Sequence, residues 1–189
     1  MEASGFVLAG GKSSRMGRDK ALLAFGGKTL LEHVLDLVSH AIGRPAAIIG
    51  DPQRYAQLGF VVHPDAVSGC GPLGGIYTAL TVSQTDWNLI AACDMPRLSA
   101  VGLRALLENA ATSGAGCIAA RSEDGEPEPL CAVYHHRSLP ALERAIREKR
   151  FKMRTLLAEL DTRTVALDSK LFANLNTPAE WSAFERHSE

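Results

Sequence analysis

Short apolar runs alternating with helical patterns constrain this chain more than any other feature. Phe6-Val-Leu-Ala9, Ala46-Ala-Ile-Ile49, Phe60-Val-Val-His63, Trp87–Ala92, Gly114–Ala120, Leu130–Tyr134 and Thr164–Leu167 read as strands. Between most of them lie segments of helical period, the alternation that specifies an α/β sheet covered by helices on both faces. One helix opens at Thr29, with Glu32 three residues on as a capping box, and Leu30, Leu31, Val34, Leu35 and Val38 supply its apolar face. Pro72 suits the first position of a helix running to about Gln84, Ser99 caps the next, and Ser138–Leu160 is helical in pattern. Thr177-Pro178-Ala179-Glu180 signals a closing helix, and Ser122–Pro129, polar and acidic with two prolines, reads as an exposed loop. No repeat or linker divides the chain, so residues 1–189 are expected to form a single domain, long enough to bury a core without disulfides or metals.

Charge and cysteine usage narrow the function. Twenty Lys+Arg stand against 21 Asp+Glu. That balance argues against a nucleic-acid partner, which calls for a basic surplus, and leaves room for a small anion held by local cations. No apolar run nears the roughly 18–20 residues that span a bilayer, so no membrane partner is expected. The N-terminus lacks the basic region and long apolar run of a signal peptide. Cys70, Cys93, Cys117 and Cys131 are scattered, which reads as reduced thiols. A cytoplasmic location is the expectation.

The chemistry concentrates in Leu8-Ala9-Gly10-Gly11-Lys12-Ser13-Ser14-Arg15-Met16-Gly17-Arg18-Asp19-Lys20, directly after the first strand. Sheets of this kind place their ligand crevice at such a strand end. Adjacent glycines let backbone N–H groups approach a phosphate, and Ser13, Ser14, Arg15 and Lys20 add hydroxyls and positive charge. The composition suits a triphosphate. It is not a P-loop, because Phe6 stands where the first glycine belongs, six residues before Lys12. Nor does the loop contain G-x-G-x-x-G; that spacing recurs at Gly69, Gly71 and Gly74 with Pro72 inside it.

The loop resembles the signature of α/β nucleotidyltransferases, and Gly11 with Asp19-Lys20 makes it most similar to the molybdenum cofactor guanylyltransferase branch. Gly71-Pro72-Leu73-Gly74-Gly75-Ile76, Cys93-Asp94-Met95-Pro96, the Asp65 of His63-Pro64-Asp65, and Asn174-Leu175-Asn176-Thr177-Pro178 are similar to further motifs of that branch, in order. Gly50-Asp51 departs from it, since some members carry an asparagine there.

The resemblance implies a three-layer α/β sandwich with a mostly parallel central sheet, of the Rossmann-like nucleotide-diphospho-sugar transferase type. It implies transfer of GMP from GTP to molybdopterin or its molybdenum-bearing form, with Mg²⁺ as cofactor. Leu8, Ala9, Gly10, Gly11, Lys20, Asp65, Gly71, Pro72, Leu73 and Asp94 would bind the nucleotide. Arg15, Lys20 and Asp94 would carry the reaction, with Asp94 holding the metal. Arg150 and Lys152, in a basic run around Phe151, and Asn174 and Asn176 would hold the acceptor. Handover to molybdoenzymes or their chaperones is implied too.

Plainer readings stand beside these. Asp94 and Asp65 each precede or follow a proline as ordinary turn residues do. The basic run also reads as a solvated helix face, and Asn174 and Asn176 as an ordering turn. His135-His136 reads as structural, since adjacent strand side chains face opposite ways, and Cys93 reads as a buried thiol. A cytidylyltransferase, a sugar- or polyol-phosphate nucleotidyltransferase, and a non-catalytic nucleotide-binding module remain as alternatives.

Overall fold

A computed structural model describes residues 1–10, 19–122 and 125–168. The chain enters through β1 (Ala3–Ala9), and a short 3₁₀ turn over Lys20–Leu22 then leads into a hairpin of β2 (Ala24–Phe25) and β3 (Lys28–Thr29). Gly26 and Gly27 form its turn with φ of +53° and +81°, a geometry that glycine adopts without a Cβ penalty. α1 (Leu30–Ile42), β4 (Ala47–Gly50), α2 (Pro52–Tyr55) and β5 (Val62–His63) follow. α3 (Pro72–Val82), β6 (Trp87–Ala92), α4 (Ala100–Thr112), β7 (Cys117–Arg121), β8 (Glu128–His135), α5 (Leu139–Arg147), α6 (Met153–Glu159) and β9 (Thr162–Ala166) complete the described strands and α-helices.

Seven strands form one sheet in the order β5-β4-β1-β6-β8-β7-β9. β4, β5, β1 and β6 pair in parallel, as do β7 and β9, while β8 runs antiparallel to both its neighbours. The expected mostly parallel sheet is therefore present. Its apolar layers are divided by face. α1 and α4 contribute to one cluster with Val34, Leu35, Leu103 and Leu106, whereas α3, α5 and α6 contribute to the other with Leu73, Ile76, Leu142 and Leu156. Helices thus cover both faces, which gives three layers.

Local chemistry explains the ends that matter. Thr29 Oγ1 accepts from the Glu32 N–H at 3.2 Å, and the Thr29 N–H donates to Glu32 Oε2 at 2.7 Å, so the capping box starts α1 as the sequence predicts. The helical pattern of 138–160 breaks into two helices. Lys149 adopts φ of +56°, its N–H donates to the Ile146 carbonyl at 3.0 Å, and the Arg150 N–H donates to the Ala145 carbonyl at 2.8 Å. This is a Schellman end, with lysine where glycine is usual. The segment read as a loop up to Pro129 surrenders Glu128 and Pro129 to β8. A shift of register between Ala119 and Ala120 interrupts the β7–β8 ladder there, and a proline without an N–H is tolerated at such an irregularity.

Candidate active site

The crossovers set the position of the crevice. From β1 the chain turns through α1 to β4 on one side, then returns through α3 to β6 on the other. The strand order therefore reverses around β1, and α/β sheets bind ligands outside the carboxyl ends of strands at such a point. The ladder continues past β6 proper, because the Cys93 N–H donates to the Leu8 carbonyl at 3.2 Å. That bond sets half-buried Asp94 at the carboxyl end of β1.

The same end gathers the other parts. A Cβ built on Gly10 would lie 3.7 Å from Asp65 Oδ2, so the carboxylate sits against Gly10 at the end of β1. Asp65 is on the exposed rim, yet the surrounding walls desolvate its carboxyl enough to raise its pKa above the ordinary value. α3 lies so close to β1 that a Cβ on Gly75 would approach Leu8 Cδ1 to 2.9 Å. Its N-terminus, Gly71-Pro72-Leu73, consequently opens at the carboxyl end of the sheet. Gly71 has φ of +58° and no side-chain cap, and the first turn holds no acidic residue. A helix start of this kind, with neither a side-chain cap nor an acid in its first turn, is a favourable setting for an anion.

Asp19 Oδ1 accepts from the Ala21 N–H at 3.1 Å and caps the turn that begins with Lys20. Cys93, next to Asp94 at the end of β6, feels the charges of both Asp94 and Lys20. Burial, then the charges of Asp94 and Asp19, push that thiol up to about 12, while Lys20 pulls it down. A thiol held protonated is no nucleophile, in line with its reading as structural. The turn after β6 is anchored as well: His33 Nε2 donates to the Pro96 carbonyl at 3.0 Å, and the His33 ring packs on Phe25 at 4.5 Å.

One carboxylate of this end escaped the sequence reading. β8 begins at Glu128 and pairs with β6 up to Ala91–Cys131, which brings Glu128 near enough to Asp94 to feel its charge. Burial raises the Glu128 carboxyl above its ordinary value, and the Asp94 charge raises it further. The prolines on either side made Glu128 look like loop; its signal was its place two residues before an apolar strand.

The acceptor candidates divide. Arg150 is engaged by protein carboxylates: Nε lies 2.7 Å from Glu148 Oε2 and Nη1 2.5 Å from Glu159 Oε1. Lys152 is exposed at the start of α6. A cleft of about 470 Å³ lies on this side, lined by Glu126, Pro127, Pro129, Arg154, Leu157 and Thr162 among others. Gly11, Ser13, Ser14, Arg15, Asn174 and Asn176 lie outside the described residues, as does the closing helix. His135 packs edge-on to Trp87 at 4.6 Å and accepts the Arg137 N–H through Nδ1 at 3.1 Å, a structural placement.

Among the described residues, no three His, Cys, Asp or Glu side chains assemble a metal cage. A strand-end aspartate with one neighbouring carboxylate is nonetheless a donor set that fits Mg²⁺, which takes one or two carboxylates and completes its shell with phosphate oxygens and waters. No helix among the described residues is long and apolar enough to cross a membrane.

This arrangement defines a Rossmann-like α/β protein whose strand order reverses at the carboxyl end of β1. Residues 5–164 match the MobA-like NTP transferase domain family. A Flavobacterium johnsoniae protein described as a probable molybdenum cofactor guanylyltransferase is 39% identical over 155 residues, covering 82% of this chain and 80% of its own. The molybdenum cofactor guanylyltransferase of Vibrio campbellii is 32% identical over 189 residues, covering 97% and 95%. The crystal structure of molybdopterin-guanine dinucleotide biosynthesis protein A from Archaeoglobus fulgidus superposes with a TM-score of 0.82 at 26% identity, covering 98% of each chain. The chain belongs to the MobA-like NTP transferase family and is a nucleotidyltransferase.

Proposed function

We propose that the protein transfers GMP from GTP to molybdopterin or its molybdenum-bearing form, releasing pyrophosphate. The observation that carries the reading is the placement of Asp94 at the paired carboxyl ends of β1 and β6, where the strand order reverses, in a chain whose relatives bear the guanylyltransferase name. An oxygen of the acceptor phosphate attacks the α-phosphorus of GTP. The bond from that phosphorus to the bridging oxygen breaks, and pyrophosphate leaves with the electron pair. The attacking phosphate is already anionic near neutral pH, so no general base is needed.

The work left to the protein is positioning and charge compensation. Leu8, Ala9, Gly10 and Gly11 wrap the phosphates, with Arg15 and Lys20 as cations against them. Asp65, Gly71, Pro72 and Leu73 bound the nucleotide on the α3 side. Asp94, with Glu128 beside it, would hold Mg²⁺, which when bound neutralises the triphosphate and orients its α-phosphate. Arg150, Lys152, Asn174 and Asn176 serve the acceptor. We place the reaction in the cytoplasm, with the product handed on to molybdoenzymes or their chaperones.

The test is pyrophosphate release from GTP, CTP, ATP and UTP, each with Mg²⁺ and molybdopterin. Release is expected with GTP, and Asp94→Ala should lower kcat by about 10²–10³, the loss typical of removing one preorganised electrostatic group. Preference for CTP would overturn the guanine assignment, and release in Mg²⁺-free buffer would overturn the metal.

A further inference from the structure

We propose that Tyr55 is a positioning residue for Lys20, acting through Asp19; this rests on the reading of Lys20 as a phosphate-binding cation. Tyr55 ends α2, far along the chain from the glycine-rich loop, and is 3% exposed. Its hydroxyl donates to Asp19 Oδ2 at 2.8 Å. The other oxygen of that carboxylate, Oδ1, accepts from the Ala21 N–H and caps the turn that starts at Lys20. Asp19 is thus held from two directions, by the turn it caps and by a side chain rooted in the core. Arg54 adds only an exposed contact, Nη1 to Oδ2 at 3.4 Å.

The path from core to loop is built for close approach. A Cβ on Gly50 would lie 2.8 Å from the Ala9 carbonyl and 2.9 Å from Tyr55 Cε2, so the bare backbone at the end of β4 lets the ring reach the end of β1. Burial, and then Asp19 itself, raise the Tyr55 pKa well above the ordinary phenol value, so the hydroxyl keeps its proton and remains a donor. A buried phenol has few alternative rotamers, whereas a lysine side chain has many. The geometry therefore transfers the rigidity of the sheet to the backbone that carries Lys20.

The experiment is a double-mutant cycle on the full chain, read as pyrophosphate release with GTP and molybdopterin, with circular dichroism to establish folding. Tyr55→Phe removes only the hydroxyl. It should lower kcat by about tenfold, within the range a small misplacement of a catalytic group costs, and leave the acceptor KM unchanged. In a Lys20→Ala background the same change should alter kcat by less than about twofold, because nothing remains to be positioned. Equal losses in both backgrounds would assign Tyr55 a merely structural role and overturn the proposal. Should Tyr55→Phe not fold, Asp19→Ala cuts the same link and should show the same dependence on Lys20. Asp19→Asn, whose Oδ1 still accepts from Ala21, should recover most of the Asp19→Ala loss. Full activity in Lys20→Ala alone would sink the reading of Lys20, and the proposal with it; a full loss there with no effect of Tyr55→Phe or Asp19→Ala would sink the proposal alone.

Discussion

The strands from β5 to β6 and those from β8 to β9 belong to one sheet but reach its functional end by different means. In the first group all strands are parallel, and what meets at their carboxyl ends is mostly backbone: Gly10 after β1, the start of α3 without a side-chain cap, the strand end at Asp94. In the second, β8 reverses direction, and long charged side chains cross between segments. Arg150 and Arg144 both turn to Glu159, while Arg154 lies 2.9 Å from Glu126. A crevice formed by backbone has its geometry fixed when the sheet forms. One formed by arginines and lysines depends on which carboxylates they find first. The comparison teaches that the side proposed for the nucleotide is set by strand and helix backbone among the described residues, whereas the side proposed for the acceptor is crossed by ion pairs.

Glycine substitutions test that rigidity and should produce the largest effects. A Cβ on Gly116, just before β7, would lie 2.3 Å from the Leu160 carbonyl, a backbone atom that cannot rotate away. Gly116→Ala should therefore destabilise the fold by about 2–3 kcal/mol, as overpacking does. Gly50→Ala meets the Ala9 carbonyl at 2.8 Å and should follow closely, with an added loss of activity because it disturbs the ends of β1 and β4. Gly75→Ala meets only the flexible end of Leu8 and should cost less than about 1 kcal/mol. Urea unfolding of the three variants gives the order; an equal cost for Gly75→Ala would show that the α3–β1 packing is as unyielding as backbone.

The acceptor side is tested by its two cations. Lys152→Ala should raise the KM for molybdopterin by about tenfold, the scale of one exposed charge-assisted hydrogen bond, and leave the KM for GTP unchanged. Arg150→Ala should raise the same KM and also lower the melting temperature, since Arg150 ties the end of α5 to α6 through Glu159. A rise in KM for Arg150→Ala with no change in melting temperature would mean that the guanidinium leaves its carboxylates to meet the acceptor directly.

The same contrast accounts for what the sequence could tell. Trp87–Ala92, the Thr29 capping box and the Pro72 helix start were legible because they rest on local rules, and the order of strands and helices followed from their periods. The gathering of Asp65, Lys20 and Asp94 at one end was legible through the motifs that carry them. The partners of Arg150 were not, since a basic run says nothing about the glutamates that fold back onto it. Glu128 was hidden because its strand begins inside a proline-rich acidic stretch, and only pairing with β6 makes it a strand. Tyr55 carries no sequence signal of its own; its hydroxyl acquires meaning only through a contact with Asp19, thirty-six positions away in the chain.

The smallest expected effect lies at the seam between the two groups of strands, at the end remote from the crevice. His135, the last residue of β8, packs on Trp87 at the start of β6. Burial, and then the Arg137 charge, lower its pKa below the ordinary 6.5. The folded state therefore binds this proton less readily than the unfolded chain. The stability linked to neutral His135 is complete above about pH 6.5 and is lost as the pH falls through the lower folded-state value. His135→Gln should flatten the fall in stability between pH 7 and pH 5 by a small amount, measured as urea midpoints across that range. The kcat–pH profile of the same variant should overlay that of the parent, because the seam bears on how the strands hold together and not on the charges that face GTP. A shifted kcat profile would mean that the ion-paired side of the sheet communicates with the crevice through β6 itself, which would make the two sides one functional unit.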